Sequence, residues 1–361
     1  MLDHGPVLWI YMDIVMDIPE TAISSAVLKL VAEIDEFKGA WRSFQNISPD
    51  RLSILRKVAT IESVASSTRI EGAKLTDGEV ERLLSGVGLK RFRSRDEQEV
   101  AGYAEAMNLV LESFADIPVT ENHIKQLHQI LLNHSTKDTR HRGEYKKLPN
   151  NVEAFDAHGK SLGIVFETAS PFDTPRKMRE LVEWFNGEMT ENRHHMLIVI
   201  AIFTVHFLAI HPFQDGNGRL SRVLTTLFLL KAGYLYVPYA SLERVIEENK
   251  DRYYLALRRA QTTLHTDNSR MSDWIIFFMS SLKKQTQVLE RKLQRERERL
   301  TLPKLSQDIL VTAREQGRIT VRDIQCFTKN NRNTIKAHLK KLVKSRQLTQ
   351  EGNGKGTWYR L

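Results

Sequence analysis

The sequence predicts an all-α fold, a bundle of amphipathic helices with one small β-hairpin, followed by a smaller C-terminal domain. Apolar residues recur at helical spacing along most of the chain, and polar N-cap residues or glycines bound these stretches. Only the region between Arg142 and Pro175 departs clearly from this pattern. At 361 residues the chain is long enough for about two domains.

The first helix of the predicted main domain covers residues 48–72. Ser48 is its candidate N-cap, Pro49 takes the first helical position, and Gly72 ends it. Residues 1–47 predict a helical extension before it. Two further helices are expected over 94–114 and 120–135, each with a polar N-cap and an apolar stripe. Two short β-forming runs separated by "DAHGKSL" predict a hairpin over 152–166.

Three more helices are expected after the hairpin, over residues 174–186, 196–210 and 218–233. The middle one is almost wholly apolar, which indicates a buried core helix. It is shorter than the roughly 18 apolar residues of a membrane span and is interrupted by His206, so no membrane partner is expected. The main domain is predicted to cover residues 48–282.

The C-terminal segment carries most of the basic character. Residues 283–300 predict a charged helical linker, and residues 301–361 follow the order helix, helix, tight turn, helix, hairpin, which predicts a winged helix-turn-helix domain. The net charge of the whole chain is +9, and residues 301–361 hold thirteen Lys/Arg against four Asp/Glu. Asn331 and Asn333 add groups that can reach bases or phosphates. Because such domains also dock proteins, DNA and protein partners through residues 301–361 both stay open.

The cysteine content sets further limits. A single cysteine, Cys326, excludes an intramolecular disulfide and a cysteine-cluster metal site. The N-terminus has no basic leader, so no signal peptide is expected. Both observations favour a cytoplasmic location.

The stretch "HPFQDGNGRLSR", residues 211–222, brings an imidazole, a carboxylate, two glycines and two arginines into twelve positions. The proline after His211 should end the preceding helix and leave the imidazole at a loop mouth. Gly216 and Gly218 permit close backbone approach, and the next helix directs unpaired N–H groups into the same space. The combination predicts a cradle for phosphate.

The charged residues of this stretch suit a nucleotide reaction. Arg219 and Arg222 lie three apart, so both can face a polyphosphate. Asp215 offers an oxygen ligand for Mg²⁺, and His211 can accept a proton from a hydroxyl near pH 7. These groups together predict hydroxyl attack on a nucleotide phosphate. The stretch lacks the Gly-Lys-Ser/Thr of a Walker loop.

The stretch resembles, at every specified position, the Fic (filamentation induced by cAMP) signature His-x-Phe-x-Asp/Glu-Gly-Asn-Gly-Arg-x-x-Arg, and the similarity extends over roughly residues 50–235. The resemblance implies transfer of AMP from ATP to a protein Ser, Thr or Tyr hydroxyl with release of pyrophosphate. One relative that phosphorylates instead has lysine in place of Gly218. The implied roles are base for His211, Mg²⁺ ligand for Asp215, anion hole for Gly216, Asn217 and Gly218, grip on the β and γ phosphates for Arg219 and Arg222, and core anchor for Phe213.

A second stretch, "SSTRIEG" at residues 66–72, matches the inhibitory pattern of the same family, Ser/Thr-x-x-x-Glu-Gly/Asn. Ser67 and Glu71 are four apart and therefore share one helix face. The resemblance implies that Glu71 pairs with Arg222 and blocks productive seating of the γ phosphate. It also implies that the hairpin over 152–166 is a flap that aligns the target by strand addition.

Three functions stay open on the sequence. The first is a self-inhibited protein adenylyltransferase, with a protein substrate, self-modification or a homodimer as its partners. The second is a DNA-binding regulator whose nucleotide site senses ATP, although sensing does not require the base His211. The third is the reverse reaction, removal of AMP from a modified protein, with Glu71 positioning a water.

Overall fold

The computed structural model describes residues 23–46, 48–86, 92, 94–155, 161–264, 266, 269–300 and 302–361. The chain divides into two compact units, which meet in sequence between Leu289 and Glu290. Helices dominate both units, which confirms the predicted all-α class. Within the described ranges no helix is both long and apolar enough to cross a membrane. Of the predicted N-terminal extension, residues 1–22 and 47 lie outside the described part.

The first unit is mainly helical, and polar side chains cap the N-termini of several of its helices. Ser94 and Thr120 each accept the backbone N–H three residues on, and Thr76 forms a full capping box with Glu79. The helices are α1 (Ser25–Trp41), α2 (Pro49–Ile70), α3 (Asp77–Ser85), α4 (Arg95–Ser113), α5 (Glu121–Leu131), α6 (Thr174–Glu191), α7 (Met196–Ile210), α8 (Asn217–Lys231), α9 (Leu242–Glu247), α10 (Lys250–Thr262) and α11 (Met271–Leu300). The boundary between the two units falls within α11. Short 3₁₀ turns cover Arg42–Asn46 and Val237–Tyr239.

Helix α7 is the centre of the first unit. Nearly all of its side chains are buried, and it packs against α6, α8 and α10. Phe185, Phe203 and Phe228 form one aromatic cluster across α6, α7 and α8, with ring centroids 4.2–5.0 Å apart. A helix that is apolar on every side is stable only in such surroundings. The burial fixes where α7 ends and where α8 begins, and the loop between them carries the candidate site.

The predicted hairpin is present as two antiparallel strands, β1 (Val152–Phe155) and β2 (Ser161–Phe166). Val152 pairs with Phe166, and the register shifts twice along the pair. The turn between the strands, residues 156–160, lies outside the described residues.

The second unit contains α12 (Lys304–Gln316), α13 (Val321–Thr328) and α14 (Arg332–Lys344), then β3 (Thr349–Glu351), a 3₁₀ turn (Gly354–Gly356) and β4 (Trp358–Arg360). Its own core joins the three helices to the hairpin, and Ile319 forms a bridge to Tyr359. The order of these elements is the one expected from the sequence. Assignment to the winged helix-turn-helix class stays a prediction.

Candidate active site

His211 stands at the end of α7, where the helix stops. Its backbone is left-handed, with φ 52° and ψ 59°, and its N–H donates to the Phe207 carbonyl at 2.9 Å. The ring Nδ1 lies 3.3 Å from the Leu208 carbonyl. Because a carbonyl only accepts, this contact places the proton on Nδ1 and leaves Nε2 as the acceptor. Burial lowers the pKa of His211 to about 4, so the ring is neutral at pH 7.

Two side chains that the sequence did not single out hold the His211 loop from outside. Asn150 Nδ2 donates to the carbonyls of His211 at 3.1 Å and of Phe213 at 2.6 Å. Lys146 Nζ donates to the Ile210 carbonyl at 3.0 Å and to Asn150 Oδ1 at 2.7 Å. Burial lowers the pKa of Lys146 to about 8. Nothing in their local sequence distinguishes these residues, since their role depends on contact with a loop some sixty positions away.

The beginning of α8 forms the predicted cradle. Gly216 is left-handed at φ 81°, a conformation that favours glycine, and it stands immediately before α8. The Asn217 side chain donates to the Phe213 carbonyl at 2.7 Å and accepts the Phe213 N–H at 2.9 Å. Asn217 therefore shapes the loop with its side chain, and only its backbone is left to face an anion.

His128 on α5 supports the same loop from the core side, and sequence reasoning missed it. Its Nδ1 accepts the Gly143 N–H at 3.0 Å, so its Nε2 donates to the Asp215 carbonyl at 3.0 Å. Burial lowers the pKa of His128 to about 4, which keeps this arrangement of the ring protons at neutral pH. Phe213 is fully buried and stacks on the His128 ring with centroids 3.8 Å apart. Phe213 therefore lies where the sequence expected it, as a core anchor.

Asp215 and Arg219 form one charged cluster with two residues of α4. Arg219 Nη2 lies 3.4 Å from Asp215 Oδ1, and Arg219 Nη1 lies 3.3 Å from Glu99 Oε2. Arg95 Nη2 contacts Asp215 Oδ2 at 3.0 Å, and Arg95 Nε contacts Glu99 at 2.7 Å. Burial by itself raises the pKa of Asp215, but Arg219, the Gly216 N–H and Arg95 outweigh it and hold the pKa below its usual value. The carboxylate is ionised at neutral pH.

Arg222 turns away from Asp215 toward α2, where the two residues of the second sequence motif meet it. Its Nε donates to Ser67 Oγ at 2.8 Å, and its Nη2 donates to the Ser67 carbonyl at 3.1 Å and to Glu71 Oε1 at 2.7 Å. Arg222 is 5% exposed, whereas the Glu71 side chain is 32% exposed. The pKa of Arg222 is raised: burial lowers it, but the charge of Glu71 more than compensates. The pair is thus a charge-assisted contact with one buried member.

Gly218 lies against the Glu71 carboxylate. A Cβ atom at Gly218 would approach Glu71 Oε1 to 2.3 Å, well inside van der Waals contact. The absence of a side chain therefore lets the carboxylate reach the first turn of α8, where positive dipole charge accumulates. The Glu71 carboxylate therefore lies beside the first turn of α8.

One cleft of about 720 Å³, a size within the range of small-molecule sites, is lined by Glu71, Arg95, Glu99, His211 and residues 214–219. The cleft is bounded on one side by α10 and on another by the hairpin, through Val152 and Phe166. Within the described part of the chain, Nε of Arg219 and Nη1 of Arg222 are buried without a hydrogen-bond partner, and Nη1 of Arg219 has its ion pair with Glu99 instead of a hydrogen bond. Buried guanidinium donors left over in this way favour an anionic ligand. The described residues contain no cluster of three or more His, Cys, Asp or Glu side chains able to hold a metal.

The part of the site from His211 to Arg222 lies inside a region that matches a known family model. The Fic/DOC family model matches residues 118–229. The chain is 27% identical over 209 residues to "Protein adenylyltransferase Fic" from Drosophila grimshawi, an alignment that covers 57% of this chain and 39% of the relative. It is 34% identical over 100 residues to a probable protein adenylyltransferase from Aquifex aeolicus (strain VF5), which covers 28% of each. The chain thus spans less than half the length of these curated relatives.

Solved structures show the same fold. A Fic family protein from Desulfovibrio desulfuricans G20 aligns with a TM-score of 0.59 at 23% identity, covering 94% of this chain and 96% of that one. A Fic domain containing signaling protein from Bacteroides thetaiotaomicron VPI-5482 aligns with a TM-score of 0.56 at 24% identity, covering 75% of this chain and 97% of the other. Residues 118–229 of this chain thus match the Fic/DOC family model, and they contain the intact signature at residues 211–222.

Proposed function

We propose that this protein transfers AMP from ATP to a hydroxyl group of a protein, and that its own Glu71 inhibits the reaction. The observation that carries the proposal is that His211, the N-terminus of α8 and Glu71 line one cleft, with Glu71 paired to the buried Arg222 behind it. Relatives named as protein adenylyltransferases support the transfer of AMP.

Transfer of AMP to a hydroxyl group requires a base for the hydroxyl proton and a binding site for the phosphates close to it. His211 has its proton on Nδ1, so Nε2 can accept the proton of the attacking hydroxyl. The backbone N–H groups at the first turn of α8 favour the negative charge of the α phosphate. Arg219 and Arg222 have buried guanidinium donors to spare for the outer phosphates. The hydroxyl oxygen then bonds to the α phosphorus, the bond to the β phosphate oxygen breaks, and pyrophosphate leaves.

The residues present fit a Mg²⁺ ion in that complex. Mg²⁺ in nucleotide sites is commonly held by one or two carboxylates together with phosphate oxygens and water. Asp215 supplies an ionised carboxylate, and the Arg95 that contacts it is half exposed and can move away. When bound, the ion would neutralise phosphate charge and orient the phosphates.

The inhibition follows from competition for one guanidinium. Arg222 directs Nη2 to Glu71 and Nε to Ser67, so a phosphate must displace the carboxylate to use the same donors. Glu71 also brings negative charge to the first turn of α8, which repels a phosphate there. ATP can enter the rest of the cleft, but its phosphates cannot take the aligned position while Glu71 remains.

The hairpin supports a protein as the acceptor. Its strands run beside the cleft, and Val152 and Phe166 form part of the wall. An extended segment of another protein can add to such an edge by main-chain hydrogen bonds, which would bring its hydroxyl over the phosphate. This mode reads the backbone of the target more than its side chains.

The decisive experiment compares labelling by α-³²P-ATP with Mg²⁺ for the full chain in three forms: wild type, Glu71→Gly, and Glu71→Gly with His211→Ala. Labelling of the protein itself and of a cell lysate should rise in the first variant, because Arg222 is released. It should then fall by about 10²–10⁴-fold in the double variant, because the base is gone.

Matched controls separate the site from general damage. Glu81→Gly removes an exposed carboxylate on α3, and His123→Ala removes a histidine of α5 outside the cleft. Neither should change labelling. Unchanged labelling in Glu71→Gly would contradict the inhibition, and full labelling in the His211→Ala double variant would contradict the role of the base. Release of AMP from a labelled product, lost in Glu71→Gly, would indicate the reverse reaction instead.

A further inference from the structure

We propose that the second unit binds double-stranded DNA, with the exposed face of α14 in the major groove. This inference is independent of the reaction proposed for the first unit. It depends on the charge, the shape and the chemistry of that face.

The charge of the α14 region has no internal counterpart. Seven exposed cations lie in or beside the helix: Lys329, Arg332, Lys336, Lys340, Lys341, Lys344 and Arg346. Across the described part of the chain, none of them lies within 4.0 Å of a carboxylate. Two of the four acidic residues of the segment are already engaged, Asp323 in capping α13 and Glu351 in a pair with Arg360. The cations are therefore available to an external polyanion.

The helix has the shape that a groove requires. Ile335, Leu339 and Leu342 face the core and fix its orientation within the unit. The opposite face is exposed, and at its centre stands Ala337, whose small side chain permits close approach of the helix axis to base edges. Thirteen residues give a length of about 20 Å, and an α-helix fits a major groove about 12 Å wide.

The turn before α14 is fixed by its own hydrogen bonds. Lys329 is left-handed at φ 54°, and Asn330 donates to the Thr328 carbonyl at 3.1 Å. The Asn331 side chain caps α14 by accepting the Thr334 N–H at 2.8 Å, which engages its oxygen and leaves its amide nitrogen for a contact with DNA. Arg332 and exposed Asn333 occupy the first turn, from which helix-turn-helix proteins contact bases. Arginine and asparagine are also the side chains that pair with guanine and adenine.

The chemistry of the face argues against a protein partner or a second copy of this chain. Protein interfaces are depleted in lysine at their centre and depend on aromatic or large apolar anchors. The exposed face of α14 offers Lys336, Lys340, Lys341 and Lys344 around an alanine, with no aromatic residue along the helix. Its composition suits phosphates far better than an apolar pocket.

The test measures binding of the full chain to a fluorescent 30-base-pair duplex of mixed sequence by anisotropy, from 50 to 300 mM KCl. Wild type should bind with a steep salt dependence. Lys336→Ala/Lys340→Ala should weaken binding about tenfold or more at 100 mM and reduce the slope of log K against log [KCl] by about two. Ala337→Glu should abolish binding, because it places a carboxylate at the centre of the exposed face while the helix is kept.

The matched control is Lys304→Ala/Arg314→Ala, which removes two exposed cations of α12 in the same unit. It should bind like wild type, and circular dichroism should show that all variants are folded. No binding of wild type at 50 mM would overturn the proposal. So would an equal loss in the α12 control, or a preference for single strands over the duplex.

Discussion

The arginines of α8 and the lysines of α14 are cations used in opposite ways. Arg219 and Arg222 are almost fully buried, and each meets a carboxylate of its own chain: Asp215 and Glu99 for Arg219, Glu71 for Arg222. The lysines of α14 are exposed and meet no carboxylate among the described residues. A buried charge is costly unless it is paired, whereas an exposed charge is solvated by water.

The difference in burial and pairing predicts that an external anion would bind differently at the two sites. In the cleft, an external anion must compete with carboxylates that are already present, so binding can be regulated from within the chain. On α14, an external anion replaces only counterions and water, so binding would depend on salt. Basic residues thus mark both candidate sites, and their surroundings distinguish buried, paired cations from exposed, solvated ones.

The largest effect on stability is expected where a buried pair is broken. Arg222→Ala should lower the free energy of unfolding by about 3 kcal/mol, since it removes the partner of Glu71 and leaves a cavity. Lys340→Ala should change it by less than about 0.5 kcal/mol, as expected for an exposed residue. Urea unfolding of both variants measures the contrast. Equal losses of unfolding free energy in the two variants would contradict the distinction between buried, paired cations and exposed ones.

A smaller effect is expected at Gly218. Gly218→Ala should destabilise the protein by about 1–3 kcal/mol, because the new Cβ would collide with Glu71 Oε1. In the Glu71→Gly background the same substitution should cost much less, since the colliding carboxylate is absent. A double-mutant cycle of unfolding free energies measures the coupling. Additive effects would show that the carboxylate does not lie against Gly218.

The two buried histidines, His211 and His128, should titrate differently from exposed histidines. Because burial lowers the pKa of His211 and of His128 to about 4, both rings should stay neutral at pH 5.5, where an ordinary histidine is about 90% protonated. NMR of the chain labelled at its histidine side chains, with His211→Ala and His128→Ala to assign the signals, measures this between pH 7.5 and 5.5. A shift of either signal centred near pH 6.5 would contradict its burial.

The lowered pKa values of these two histidines also predict how the stability of the protein depends on pH. The pKa of each ring is lower in the folded state than in the unfolded chain, so the unfolded state binds more protons between about pH 4 and 6.5. Stability should therefore fall as the pH drops through this window. The losses for His211→Ala and His128→Ala chains should be smaller than for wild type, and thermal unfolding at pH 7 and 5 compares them.

Local sequence was enough for most of the helices and for the motif. Caps such as Ser94 and Thr120 act over three residues, and the apolar run of α7 dictates burial whatever its neighbours are. The hairpin was also predicted, since its strand-forming runs flank a turn. The fine contacts were not. Nothing in the local sequence indicated, for example, that the Asn217 side chain hydrogen-bonds to the Phe213 backbone in the adjoining loop.

The sequence by itself determined which chemical groups the protein has and which of them share a helix turn, because those relations depend on spacing of a few residues. Only the tertiary structure decided that Lys146 and Asn150 hold the His211 loop and that Arg95 contacts Asp215. It also gave a distance of 2.7 Å, across 151 positions, to the Glu71–Arg222 pair that the resemblance implied. These contacts join distant segments. They depend on how α2, α4, α7 and α8 pack their apolar faces together, a property of the whole core that no short stretch contains.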